Sequence, residues 1–365
     1  MLSQEPLILL TGGTGLIGGS WLASLASSRP ECRIAAMARQ PASIPEHPNI
    51  LPVAGDLAAD GLGIAIDTAE FLRSNVSEII HCAADIRFSL PLEQARAVNT
   101  EGTRKLLFLA RECSRLRKFA HLSTVYIAGK MQGRLPEAPV RNREGFLNSY
   151  QQTKYEAEQL VLESARDLPA AVFRVSSVIG DSRSGRVRQF NYFHQLIRLI
   201  PHNVLPVIPG DPESRADLIA SDWLIPALNH VYEKHFQAGA VYNFCSGEAA
   251  SMSVHEMLSR TYRLFAGHRR NGGSIPLMPE LVSSGDFDRY AAKLNGRDGK
   301  AAELVRVLSQ FMPQLCLRQT FENSRMIRAV APSGIHLPDI RDYYDKVITY
   351  CLETEWGRLP ERMGA

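Results

Sequence analysis

Thr11–Gly19 reads TGGTGLIGG and directly follows the apolar run LILL, Leu7–Leu10. A short apolar run that ends in glycines and then turns helical predicts a strand, a tight turn and the mouth of a helix. Each glycine in the motif has its own reason to lack a side chain. Gly12 permits the turn, Gly15 lets the backbone approach a pyrophosphate, and Gly18 lets the helix lie close on the strand. The phosphates of a bound dinucleotide would then meet the helix N-terminus, with Leu16 and Ile17 as its first residues.

Working outward, short apolar or β-branched runs alternate with helical patterns: LILLT, RIAAMA, ILPVAG, EIIHCAA, KFAHLST and AVFRVS. That rhythm predicts βαβ units and an α/β fold, a Rossmann-type doubly wound parallel sheet. After Gly180 it breaks into DSRSGRVRQF, an apolar helix-like stretch to Ile200, and the proline-rich LPVIPGDPES. The expected organisation is a dinucleotide-binding unit over 1–180 that also carries the catalytic residues. About 215–265 completes its sheet through AVYNFCSG (Ala240–Gly247), and 181–214 with 266–365 form a smaller substrate-binding lobe. The path from about Gly267 to Leu304 is left open, and DIRDYYDKVITYCLETEWG predicts a closing amphipathic helix.

The second strand ends in IAAMARQ, with Arg39 where a carboxylate would grip a ribose 2′-hydroxyl. An arginine there suits the 2′-phosphate of NADP. Asp56 and Leu57, just past the third strand, bring a carboxylate toward an adenine amino group; GDL is also a plain turn.

The stretch NSYQQTKYEAEQLV, Asn148–Val161, sets Lys154 between Tyr150 and Tyr155. At about 100° per residue Lys154 lies about 40° from Tyr150, whereas Tyr155 is about 140° away. Ala157 and Val161 share the Tyr150 face, so the lysine points to the packed side. A buried ammonium is costly without a purpose; beside a phenol it lowers the phenol's pKa and can hold a ribose hydroxyl. Tyr155 is assigned to packing. HLSTVY supplies Ser123 or Thr124 as a third hydroxyl, at the strand end where open α/β sheets bind ligands.

The remaining composition mostly excludes. A net charge of +3 on 365 residues is nearly neutral and points to neither nucleic acid nor a membrane surface. Six scattered cysteines without a CxxC pair argue against a metal site or disulfides and for a reducing compartment. With no signal-like start and no run of transmembrane length, the expectation is a cytoplasmic protein without an integral membrane segment.

Taken together, TGGTGLIGG, HCAA (His81–Ala84), NTEGT (Asn99–Thr103), HLSTVY, the Tyr150–Lys154 YxxxK and FRVSSVIG (to Gly180) resemble the extended short-chain dehydrogenase/reductases. GFLNSYQQTKYEAEQLV, HLSTVYIAG, VIGDSRSGRVRQFN and PGDPESRADLIASDW are most similar to the branch of thioester reductases and fatty acyl-CoA reductases. Many extended members carry Pro after the arginine of the sixth strand, where this chain has Val175, in keeping with that branch.

The resemblance implies a catalytic triad of Thr124, Tyr150 and Lys154, with Thr124 preferred over Ser123. It implies a cofactor path along Gly12, Gly15, Gly18, Arg39, Asp56, Ala83, Ala84 and Asn99, with Val175 and Ser176 near the nicotinamide. The implied activity is NADPH-dependent reduction of an acyl thioester, on CoA or a carrier protein, to the aldehyde, with the alcohol as a second product. The run from Arg183 to Ile200 reads first as a solvated loop followed by a packed helix; in the functional alternative Arg183, Arg186 and Arg188 meet CoA phosphates or an acidic carrier, and the apolar segment Phe190–Ile200 roofs an acyl channel. The competing expectations are an NADP-dependent dehydrogenase or ketoreductase using the same triad on a secondary alcohol or ketone, and a nucleotide sensor that has lost catalysis. The sensor is disfavoured because both Tyr150 and Lys154 are present.

Overall fold

The computed structural model describes residues 5–199, 205–268, 277–294, 302, 305 and 312–359. Its centre is a seven-stranded sheet of β1 (Leu7–Thr11), β2 (Arg33–Ala38), β3 (Ile50–Ala54), β4 (Val76–His81), β5 (Lys118–Thr124), β6 (Ala170–Val175) and β7 (Val241–Phe244). The order is β7-β6-β5-β4-β1-β2-β3, and every pairing is parallel. The order reverses between β1 and β4, so a crevice opens there at the C-terminal strand edge.

Both faces of this sheet are covered, which is why LILLT is buried at all five positions rather than alternating. Alternate residues point to opposite layers. Ile8, Leu10, Ala120 and Phe173 pack with Trp21 and Leu25 of α1 (Leu16–Ser28) and with Trp223 and Leu228 of α6 (Ser221–Lys234). Leu7, Leu9, Phe119 and Val172 pack with Leu72 of α2 (Ile66–Asn75), Leu106 of α3 (Leu92–Glu112) and Val161 of α4 (Ser149–Ser164). α4 starts cleanly because Asn148 caps it, its side chain accepting from the Gln151 amide at 3.0 Å.

Residues beyond β6 join the first of these layers. The strand Ser177–Gly180 pairs with Leu218–Ala220. Tyr343, Tyr344, Val347 and Ile348 of the closing helix, Ile340–Glu353, enter the same core as Trp21. Gly133–Leu135, on the loop after β5, pairs with Gln319–Phe321 and ties the late chain to the sheet's C-terminal edge. Within the stretch left open by the sequence, Glu280–Val282 pairs with Val207–Pro209 and is followed by a helix, Ser284–Leu294. Residues 269–276, 295–301, 303 and 304 lie outside the described residues, as does Ile200.

α5 (Tyr192–Leu199) is the packed helix of the plainer reading rather than the roof of a channel. Phe193, Leu196 and Ile197 turn into the core and His194 Nε2 meets the Ile179 carbonyl oxygen at 2.8 Å, so Tyr192 is the residue of this helix that lines the cleft. An apolar helix face beside a large core gains more from burial there than from facing a wet groove.

Candidate active site

The crevice is a cleft of about 850 Å3 that runs from the glycine turn to the N-terminus of α4. Gly12, Gly15, Leu16, Ile17, Gly18, Arg39, Asp56, Leu57, Ala83, Ala84, Val175 and Ser176 line it, together with Thr124, Tyr150 and Lys154. At its near end Gly12 has φ +79°, and a Cβ there would lie 2.6 Å from the Ala83 nitrogen. On Gly18 it would lie 2.3 Å from the Gly12 oxygen. Packing therefore accounts for both glycines, but not for Gly15, where the Gly12 oxygen stands at 3.4 Å, an ordinary contact. The helix behind it begins without a side-chain cap, and its first residues, Leu16, Ile17 and Gly18, line the cleft. An open Gly15 before an uncapped helix fits the pyrophosphate of a dinucleotide.

Asn99 is the exception among the expected cofactor residues. It is buried behind the cleft wall: its Oδ1 accepts from the Asp85 amide at 2.7 Å, and its Nδ2 donates to the Asp85 carbonyl at 3.0 Å and to Thr153 Oγ1 at 3.0 Å. Asn99 thus ties the loop after β4 to α4, and the Asp85 it holds is what reaches the cleft. Asp85 is itself engaged by Arg87, whose Nη2 donates at 2.6 Å. Arg39 lies exposed at the end of β2, on the rim.

At the far end the Thr124 hydroxyl accepts from the Tyr126 amide at 3.2 Å and lies beside the Tyr150 phenol, whose pKa it lowers. Ser123, one residue earlier, faces the other way: its hydroxyl donates to Glu158 at 2.6 Å, within the fully buried Glu158–Arg174 pair. Strand alternation alone separates the two hydroxyls that the sequence leaves equivalent. Lys154, buried as expected, donates to the Leu122 carbonyl at 2.8 Å. Tyr155 packs on Phe146, ring centroids 5.3 Å apart, and its hydroxyl accepts from the Asn142 amide.

The electrostatics differ from expectation in one respect. Burial pushes the Tyr150 phenol up to about 12, opposed by the neighbouring Thr124 hydroxyl, and no lowering by Lys154 is seen. Burial likewise brings the Lys154 ammonium down to about 8, with Glu158 pulling it back up. The lysine's charge is directed at the backbone of β5 rather than at the phenol.

Sequence reasoning missed the aromatic wall over Tyr150. Phe88 stacks on Tyr150 at 5.4 Å and meets Tyr192 at 4.8 Å. Tyr126 shares a hydrogen bond with Ser177 at 2.9 Å. Tyr126 stood in the HLSTVY motif, two residues past Thr124; Phe88 and Tyr192 carry no local signal, because distant segments bring them together.

Fold, glycine turn and cleft define a Rossmann-type protein of the NAD-binding class. More narrowly, the chain belongs to the male sterility protein family, whose model matches residues 10–228. It is 29% identical to the fatty acyl-CoA reductase wat of Drosophila melanogaster over 53% of this chain and 43% of that protein. It is 30% identical to an isonitrile lipopeptide synthase of Streptomyces coeruleorubidus over 98% of this chain and 25% of the synthase. The chain thus spans less than half the length of these curated relatives. Among solved structures, the terminal R domain of the myxalamid PKS-NRPS biosynthetic pathway matches with a TM-score of 0.80 at 21% identity, covering 99% of this chain and 94% of that one. Among the described residues no helix is long and apolar enough to cross a membrane.

Proposed function

We propose that this chain is an NADPH-dependent reductase that converts an acyl thioester to the aldehyde, and by a second round to the alcohol. The observation that carries the reading is that Thr124, Tyr150 and Lys154 line one cleft together with the glycine cradle, with the Thr124 hydroxyl close enough to act on the Tyr150 phenol. The bound nicotinamide would supply a hydride to the carbonyl carbon. Two hydroxyl donors side by side suit the oxyanion that then develops. A phenol held protonated by burial suits the role of proton donor in the reductive direction. Lys154, with three donors and the Leu122 carbonyl taking one, suits a ribose hydroxyl. Collapse of the resulting hemithioacetal releases aldehyde and thiol.

The tip of β2 carries Arg39 and no Asp or Glu in its sequence IAAMARQ, which supports NADPH over NADH. A thioester is supported by the relatives, one a fatty acyl-CoA reductase and one a lipopeptide synthase. The loop Asp181–Asn191 supports an anionic carrier: Arg183 is exposed, and Arg188 donates to Ser20 of α1 at 3.0 Å, close to the cleft. The test is NADPH consumption with a panel of CoA and pantetheine thioesters, aldehydes and ketones, with product analysis. Turnover of ketones without thioesters overturns the reading in favour of a ketoreductase. Tyr150→Phe should lower turnover by at least about 100-fold while cofactor binding persists; an active variant refutes the role of Tyr150.

A further inference from the structure

Behind Lys154 lie two buried imidazoles, His81 at the end of β4 and His121 within β5, with ring centroids 5.2 Å apart. His81 is satisfied at both nitrogens, 2.7 Å from the Thr11 hydroxyl and 2.9 Å from that of Thr103. His121 is not. Its Nε2 lies 3.3 Å from Lys154 Nζ, while its Nδ1 is buried with no hydrogen-bond partner among the described residues. An ammonium can only donate, so Nε2 is the bare nitrogen and the proton sits on the unpaired Nδ1. Leaving a buried donor unpaired is costly. On the same face of β5, two residues earlier, the chain places Phe119, which carries no such cost.

We infer that His121 is a positioning residue: with the Leu122 carbonyl it holds two of the three Lys154 N–H groups and thereby aims the third into the cleft. The inference rests on the reading of Lys154 as the group that holds the cofactor ribose. The ionisable groups facing this pair are Glu158 on α4, His81 and Cys82 from the end of β4, and Tyr150 on the cleft side; Arg174 of β6 balances Glu158. Burial holds His121 neutral, well below its ordinary range, and lifts the Cys82 thiol to about 12, so neither changes charge near neutrality. Lys154, brought down to about 8, is the member of the group that titrates within the working range.

The test compares His121→Gln with His121→Met, side chains of like shape of which one keeps a strong acceptor. NADPH affinity is read by fluorescence titration, the basic limb of the turnover–pH profile by kinetics, and integrity by Tm. His121→Met should bind NADPH about tenfold more weakly and lose activity about one pH unit earlier on the basic side, since a bond to a charged group is worth about one pK unit or more. His121→Gln should restore both. If the two variants share wild-type affinity and pH limb, the inference is overturned. Should His121→Met fail to fold, His121→Gln decides: a tenfold loss at native Tm overturns it, and wild-type behaviour supports it. Lys154→Met separates the two readings. Retained turnover there removes the role of Lys154, whereas an inactive Lys154→Met beside a wild-type-like His121→Met removes only that of His121.

Discussion

Gly15 and Gly18 stand three residues apart in one motif, and the structure predicts opposite consequences for the same added methyl group. On Gly18 the methyl would sit 2.3 Å from the Gly12 oxygen and 2.9 Å from the Gly12 carbonyl carbon, both backbone atoms. It falls about 1 Å short of ordinary contact, so α1 must back away from the turn, at about 1–3 kcal/mol. For a chain of this size that is a Tm drop of roughly 1–4 °C. On Gly15 the nearest atom is at 3.4 Å, and the backbone, φ −83° and ψ 169°, suits any residue. Two opposing effects of a few tenths of a kcal/mol, fewer unfolded conformers and a weaker helix cap, leave Gly15→Ala within about 1 °C of wild type. In the proposed function its methyl would intrude where the pyrophosphate meets the start of α1, so NADPH affinity should fall at least tenfold, about 1.4 kcal/mol. Thermal unfolding and fluorescence titration measure the two quantities independently. Equal Tm losses in the two variants, or a Gly15→Ala protein that binds NADPH normally, would refute the division of labour drawn from the Cβ distances.

Three further outcomes are expected. Arg39→Ala should raise the KM for NADPH much more than for NADH, and steady-state kinetics showing equal effects would remove Arg39 from the 2′-phosphate. Glu158→Gln leaves the Arg174 guanidinium buried without its counter-charge and should cost about 3–5 kcal/mol in denaturant unfolding, whereas Arg104→Ala, breaking the exposed pair with Glu101, should cost under about 1 kcal/mol. Lys154 binds its proton less tightly folded, near 8, than unfolded, near 10.5. Between those values the unfolded chain holds more protons, so the penalty for burying this ammonium is present below about pH 8 and lifts as pH rises toward about 10.5. Stability–pH curves of wild type and Lys154→Met should converge over that window, and parallel curves would contradict the burial.

The parallel sheet, the glycine cradle and the shared face of Tyr150 and Lys154 were legible in the sequence because each depends on residues close together along the chain. Periodicity and the need for close backbone approach act within a few residues, so a strand–turn–helix and an i, i+4 pair announce themselves locally. Tertiary structure alone decided what those residues face. Residue type and spacing leave Thr124 and Ser123 equivalent, with only the family resemblance favouring Thr124, and the pleat of β5 sends one toward Tyr150 and the other to Glu158. Asn99 reads as a cleft residue by its motif, yet the fold spends both ends of its amide on the Asp85 loop and Thr153. The acidity expected of Tyr150 beside a lysine is reversed, because burial dominates, and Phe88, which stacks on the Tyr150 ring, arrives from another part of the chain. Local pattern determined which groups are available, and long-range packing determined their solvent, their partners and hence their charge.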